Sequence, residues 1–219
     1  MYMPAMACGW TRSSAWRSGS PMNRILRLLL LHLQLRGVHR PLWTVHGLRM
    51  HVTLRDLDLL RHVNNGSYLQ LMDVGRIAMM MESGAWASMA RRGWISVVTS
   101  ETITFRRSLH WGQRYTLQTR IVGWDDTCFI VEQRFVRGDE VYVRGFVRQL
   151  FVRRAGGAGH PDEVIAECGV PERLPRVPAW VRAWASASEL PRNAVHYPSV
   201  WDPGRRWPGA AERSVTTTA

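Results

Sequence analysis

Asp56 and Asp58 lie two residues apart, just ahead of His62 and the pair Asn64-Asn65. A carboxylate can activate a water or attack an electrophile itself. Asparagine side-chain oxygens cap helix starts. The exposed N–H groups of a helix's first turn, aided by the helix dipole, can receive negative charge that develops on an oxygen. By spacing alone, Asp56 and Asp58 read as turn or capping carboxylates, a common use of Asp in loops. His62 is either a second acid/base, a substrate contact or a structural hydrogen-bonding residue.

The surrounding elements must hold these groups. From Leu42 the residues Leu42, Thr44, His46, Leu48, Met50, Val52 and Leu54 alternate onto one face, which predicts a first strand. A polar connection over 55–63 follows, and Asn64-Asn65 open a helix that runs to about Glu82. Tyr68, Leu71, Met72, Gly75, Met79 and Met80 form its apolar face, and Ser83-Gly84 stop it. A short helix near 86–90 precedes four strands joined by tight turns at Asp125-Asp126 and 137–140, so neighbours are expected to be antiparallel. A long helix ahead of a meander of strands is an α+β arrangement in which a curved sheet must wrap the helix.

Domain organisation follows from composition. Residues 1–41 form a basic extension with a short amphipathic helix, 42–154 the main domain, 155–188 a helical C-terminal extension anchored by Trp180 and Trp184, and 189–219 a tail without pattern. No acidic residue precedes Asp56, and the apolar run over 25–35 is interrupted by Arg27, His32 and Gln34. It is too short for the ~20 apolar residues that span a bilayer, though peripheral contact with a membrane surface fits it.

The formal net charge is +12, and every one of the 29 Lys+Arg residues is arginine. Their scatter along alternate strand positions points to solvated faces rather than a nucleic-acid interface. Cys8, Cys128 and Cys168 form no CxxC or Cys/His cluster, so neither a zinc site nor a disulfide framework is indicated, and a reducing, cytoplasmic setting is the default.

The string from Asp56 to Leu69, DLDLLRHVNNGSYL, resembles the DxDxxxHVNNxxYL motif of the hot-dog acyl-CoA thioesterases related to 4-hydroxybenzoyl-CoA thioesterase. Gly93-Trp94, the run Phe105 to Leu109, Gly123-Trp124-Asp125 and the run Glu132 to Phe135 extend the likeness to proteins resembling thioesterase superfamily member 6. About a hundred residues take part, from Asp56 to Arg153. The resemblance implies a hot-dog fold and hydrolysis of an acyl-CoA thioester. Asp58 would be the catalytic carboxylate and the N–H groups near Asn65 and Gly66 the oxyanion donors, with His62 a further catalytic candidate. Gly66 and Tyr68 are placed among the substrate-binding residues, Tyr68 as core or pocket wall rather than proton donor. Asp56 is expected to order the loop.

Arg106 and Arg107 are candidates for the phosphates of CoA, which arginine binds well; a surface pair explains them equally. Glu101 falls on the apolar face of its strand, so it requires an arginine partner, a role beside Asp58, or a bulge at Thr99-Ser100 that turns it to solvent. No metal or redox cofactor is implied, and CoA enters only as part of the substrate. A homodimer or higher homo-oligomer is expected, because an exposed sheet edge invites pairing. The alternative function is a catalytically weak hot-dog protein that binds acyl groups or serves as a scaffold. A hot-dog dehydratase or hydratase is disfavoured, since neither a His-Phe-Pro helix entry nor an Asp/His hydratase motif occurs.

Overall fold

The computed structural model describes Leu31, Leu35 and residues 37–174 and 176–189. Expectations for most of the basic extension and for the tail beyond Glu189 lie outside the described residues. The chain runs β1 (His46–His51), α1 (Asn65–Glu82), α2 (Ala85–Arg91), β2 (Trp94–Phe105), β3 (Arg114–Trp124), β4 (Cys128–Arg137), β5 (Glu140–Arg153), β6 (Ala158–Gly159), α3 (Pro161–Cys168) and α4 (Ala179–Ala187). The strands form one antiparallel sheet in the order β1-β3-β4-β5-β2, with β6 added to β5. This curled sheet wraps α1, so the α+β hot-dog arrangement expected from the sequence is the one observed. No helix among the described residues is long and apolar enough to cross a membrane.

Helix α1 begins and ends where its residues dictate. Asn64 is the N-cap, and its side chain accepts the Gly66 N–H at 2.8 Å. At the other end Gly84 takes the left-handed conformation (φ 74°) that releases the chain into α2. The expected apolar face is buried throughout, Tyr68, Leu71, Met72, Gly75, Met79 and Met80 included. The first strand is shorter than its alternation predicts. Thr53 caps a single 3-10 turn over Leu54–Asp56, which ends the extended run and leaves Leu54 exposed.

Helix and sheet meet most closely at Gly75. A Cβ there would stand 2.7 Å from Leu117 Cδ2 and 2.8 Å from both Gln133 Nε2 and Thr119 Oγ1. Gln133 is fully buried; its Nε2 donates to the Met72 carbonyl at 2.8 Å and to Thr119 Oγ1 at 2.9 Å, and its Oε1 accepts from Arg76 Nη1 at 2.9 Å. A buried amide is tolerable because every donor and acceptor it presents finds a partner.

The outer face of the sheet has two kinds of cover. Val181, Ala185 and Trp184 of α4 sit over Val122, Ile130 and Phe146. Of the two tryptophans expected to anchor this segment, Trp184 packs into that cluster, while Trp180 is half exposed with its ring against Phe146. Beside this patch Glu132 is buried and accepts from Arg120, Arg134 and Arg144. Burial alone would push the Glu132 carboxyl up, but the hydrogen bonds and charges of Arg120 and Arg134 outweigh it and hold the group below its usual value.

Two outcomes follow. Gly75→Ala gains ~1 kcal/mol of helix propensity, but overpacking at a tight site costs about 1–3 kcal/mol. The variant should therefore show a net loss of stability in denaturant unfolding, and Gly75→Val a larger one. Glu132 has a lowered folded-state pKa, so its stabilisation is present above the unfolded value of 4.5 and is lost as pH falls through the lower folded value. Unfolding curves measured over a pH series should fall more steeply in this acid range for the native protein than for Glu132→Gln, which is already less stable at neutral pH.

Candidate active site

Asp58 lies in a tight hairpin closed by a bridge between Leu57 and Val63. Its backbone N–H donates to the His62 carbonyl at 2.8 Å, and its carbonyl accepts from the Arg61 N–H at 3.1 Å. The Asp58 Oδ1 accepts the N–H groups of Leu60 at 2.8 Å and His62 at 3.1 Å. Arg61 adopts φ 61°, the one non-glycine among the described residues with a left-handed backbone, and Leu59 and Leu60 stand exposed at the tip. One carboxylate oxygen thus orders the turn, the role that spacing alone suggests. The second, Oδ2, receives no hydrogen bond from the described residues.

Asp56 is buried, and its Oδ2 accepts the Thr53 N–H at 2.8 Å and the Thr53 hydroxyl at 2.6 Å. Its carbonyl accepts the Asn64 N–H at 2.8 Å, tying the hairpin to the start of α1. Asp56 therefore orders the loop and holds it against the helix.

The helix start divides its donors unequally. Gly66 N–H is taken by the Asn64 side chain, and Ser67 and Tyr68 N–H both reach the Asn64 carbonyl. The Asn65 N–H has no acceptor among the described residues. Of the two amides expected from the sequence, only that of Asn65 is free to meet an incoming oxygen. Predicting which one required the capping geometry.

The loop after β2 closes the site from the other side. Val63 N–H donates to the Leu109 carbonyl at 3.0 Å, His62 bridges His110, and the two imidazole rings meet edge to face at 4.7 Å. His62 is thus packed on a second histidine that sequence reasoning missed, 48 residues away and without a local signal. Tyr68 is buried between Phe105 and Phe135, and its hydroxyl accepts the Leu109 N–H at 3.0 Å. Burial pushes its phenol up, only partly offset by that hydrogen bond. It belongs to the core, as the framework that holds this loop to the helix, rather than to an open pocket wall.

Arg106 and Arg107 both bond to Glu140 across the start of β5, with their guanidinium groups more than half exposed. Glu101 pairs with Arg76 at 3.2 Å, and Arg76 also holds Asp73 at 2.7 Å. Burial raises the Glu101 carboxyl, Arg76 lowers it, and Asp73 raises it again, for a net upward shift. A bulge does occur, with register slipping between Val98 and Ser100 against β5. It leaves Glu101 facing the helix; before it Trp94 is buried and Val98 half-buried, while Ile95, Ser96 and Val97 are exposed, Ser96 with its hydroxyl on the buried Gln149.

This fold and sequence have counterparts in known proteins. A family model described as the thioesterase-like superfamily matches residues 52–185. Protein THEM6 of Xenopus laevis is 33% identical over 159 residues, covering 72% of this chain and 75% of the relative. Protein THEM6 of Danio rerio is 31% identical over 155 residues, covering 68% and 73%. Among solved structures, the probable thioesterase YbaW from Escherichia coli superposes with a TM-score of 0.52 at 18% identity, over 55% of this chain and 94% of that one. A variant of 4-hydroxybenzoyl-CoA thioesterase bound to 4-hydroxybenzoyl-CoA gives 0.51 at 15% identity, over 57% and 99%. These structural likenesses show the fold. The chain belongs to the thioesterase-like superfamily.

Proposed function

We propose that the protein hydrolyses an acyl-CoA thioester to the free acid and CoA, with Asp58 as general base or nucleophile and the Asn65 N–H as oxyanion donor. As base, Asp58 takes a proton from water while the water oxygen bonds to the carbonyl carbon. The carbonyl oxygen becomes an oxyanion on the Asn65 amide, at the positive end of α1. Collapse breaks the C–S bond, and the proton passes from Asp58 to the departing thiolate. As nucleophile, the carboxylate displaces the thiolate to give an acyl-aspartyl anhydride, which water then opens. Arg106 and Arg107 would exchange Glu140 for phosphates of CoA.

What supports this reading above all is the division of labour within one hairpin. Asp58 has an oriented carboxylate with one oxygen without a partner, in a loop bound to the helix start whose Asn65 N–H is likewise without one. The name of one relative carries the same class of chemistry: "Thioesterase lcsJ" of Purpureocillium lilacinum is 24% identical over 160 residues, matching 52% of that protein.

The assembly proposed with it is a homodimer. Strand β2 is an edge of the sheet, and Ile95 and Val97 are exposed on it; a long edge with apolar side chains is a pairing hazard unless covered.

Release of free thiol from a panel of acyl-CoAs tests the activity. Asp58→Asn keeps the turn acceptor while removing the charge, so turnover should fall by ~10² or more with little change in melting temperature. Asp56→Asn should lower the melting temperature and leave the surviving protein active. Wild-type turnover in Asp58→Asn on every ester the native protein cleaves would overturn the assignment. Light scattering at micromolar concentration should give twice the chain mass, and a monomer would sink the proposed assembly.

A further inference from the structure

Among the described residues, four of the five most exposed large apolar side chains crowd into two neighbouring loops: Leu54 (67%), Leu59 (102%), Leu60 (74%) and Trp111 (66%). Single exposed apolar residues are ordinary, but a group of them marks an interaction site. None of the four belongs to a core cluster, so packing of the fold does not account for them.

The backbone brings the two loops together. Val63 pairs with Leu109 and His62 with His110, and the same antiparallel run leads on to Arg61 and Trp111. On the other flank the Gly112 N–H donates to the Val52 carbonyl at 3.0 Å and the Val52 N–H to the Gln113 carbonyl at 2.9 Å, which sets Trp111 beside the turn that carries Leu54. This rim adjoins β1 and β3, at the opposite end of the strand order from β2, the edge proposed for the dimer.

The charge of the rim is as one-sided as its apolar tips. Residues 49–63 and 106–114 hold Arg49, Arg55, Arg61, Arg106, Arg107 and Arg114 against Asp56 and Asp58, and Asp56 is buried. Arg106 and Arg107 share Glu140, while Arg61 and Arg114 have no ion pair among the described residues.

Shape decides between partners. Leu54 sits on a single 3-10 turn, Leu59 and Leu60 on a hairpin tip, and Trp111 on the turn closed by the Gln113 N–H on the His110 carbonyl. A protein partner requires closely packed complementary surfaces. Separate apolar tips set among cations suit a fluid partner with anionic headgroups over hydrocarbon, where tryptophan favours the boundary, leucine the layer beneath it and arginine the headgroups.

We propose that this rim docks on an anionic lipid bilayer, with Leu54, Leu59, Leu60 and Trp111 entering the interface and Arg61 and Arg114 meeting the headgroups. Asp58 directly precedes Leu59, so docking brings the candidate active site to the lipid boundary. The docking itself does not rest on the thioesterase reading, and its test needs no turnover.

The full-length protein is floated with vesicles of phosphatidylcholine alone and of phosphatidylcholine mixed with phosphatidylserine. Native protein should bind the mixed vesicles, less tightly as salt rises. Leu59→Ser combined with Trp111→Ser should weaken that binding by about tenfold or more, with little change in melting temperature because both side chains are exposed. Arg61→Asn combined with Arg114→Gln should also weaken it by about tenfold or more, while leaving the weaker binding to phosphatidylcholine alone as it is; asparagine tolerates the left-handed backbone at position 61. Native protein that binds neither kind of vesicle, or mixed-vesicle binding that either double variant retains in full, would overturn the proposal. So would a change of oligomeric state by light scattering in the Leu59→Ser, Trp111→Ser variant without vesicles, which makes the rim a contact between copies of this chain. Thiol release from a short-chain acyl-CoA in vesicle-free buffer reads the thioesterase separately. An active enzyme that binds no vesicle sinks the docking alone, and an inactive protein that binds through this rim sinks only the thioesterase reading.

Discussion

Gln133 spans the gap between the central helix and the sheet, and its reach is possible only because Gly75 offers no side chain in the way. The contact is polar where most of the core is hydrocarbon, so it specifies register as well as proximity. A helix displaced by one residue would take the Met72 carbonyl and the Arg76 guanidinium away from the amide and leave a fully buried side chain without partners, at a cost of about 1–3 kcal/mol per group. Arg76 extends the same network outward to Asp73 and Glu101. The direction in which α1 aims its first turn is thus set by interactions in its middle.

Chemistry at that first turn depends on how its amides are shared. Asn64 gives the helix a capped start at the expense of the Gly66 N–H, so the cap and the candidate oxyanion donor draw on adjacent groups. Asp58 divides its carboxylate in the same manner, one oxygen for the turn and one left without a partner. The atoms that order the loop and those left without a partner belong to the same residues. Tyr68 and Leu109 add the remaining constraint, binding the loop after β2 to the helix from within the core.

Much of this was legible in the residues themselves. The apolar face of α1, its start at Asn64-Asn65 and its stop at Ser83-Gly84 all follow from local chemistry, and so do the tight turns that make the strands antiparallel. Asp56 as the ordering carboxylate and an arginine partner for Glu101 were also within reach. What escaped was non-local or depended on counting. The packing of His62 on His110 joins segments far apart in the chain. The committed Gly66 amide is a matter of geometry within a single turn. Gln149 did leave a trace, a polar residue among Val143, Gly145, Val147 and Phe151 on the inward parity of β5, yet only the structure shows that its Nε2 donates to Ser96 while its buried Oε1 has no partner.

The bulge at Thr99 makes β2 two strands of opposite phase joined end to end. Beyond it, Glu101 is turned toward the central helix; before it, Trp94 is buried, Val98 half-buried, and Ser96 meets the buried Gln149. Were the strand continuous in phase, Ile95 and Val97 would take those places, and Gln149 would lose its hydrogen bond to Ser96. The polar contact between Ser96 and Gln149 is therefore written as a residue count rather than as a residue identity. A single insertion or deletion within 94–100 would exchange the residues that this edge sets against the core more completely than any point substitution along it.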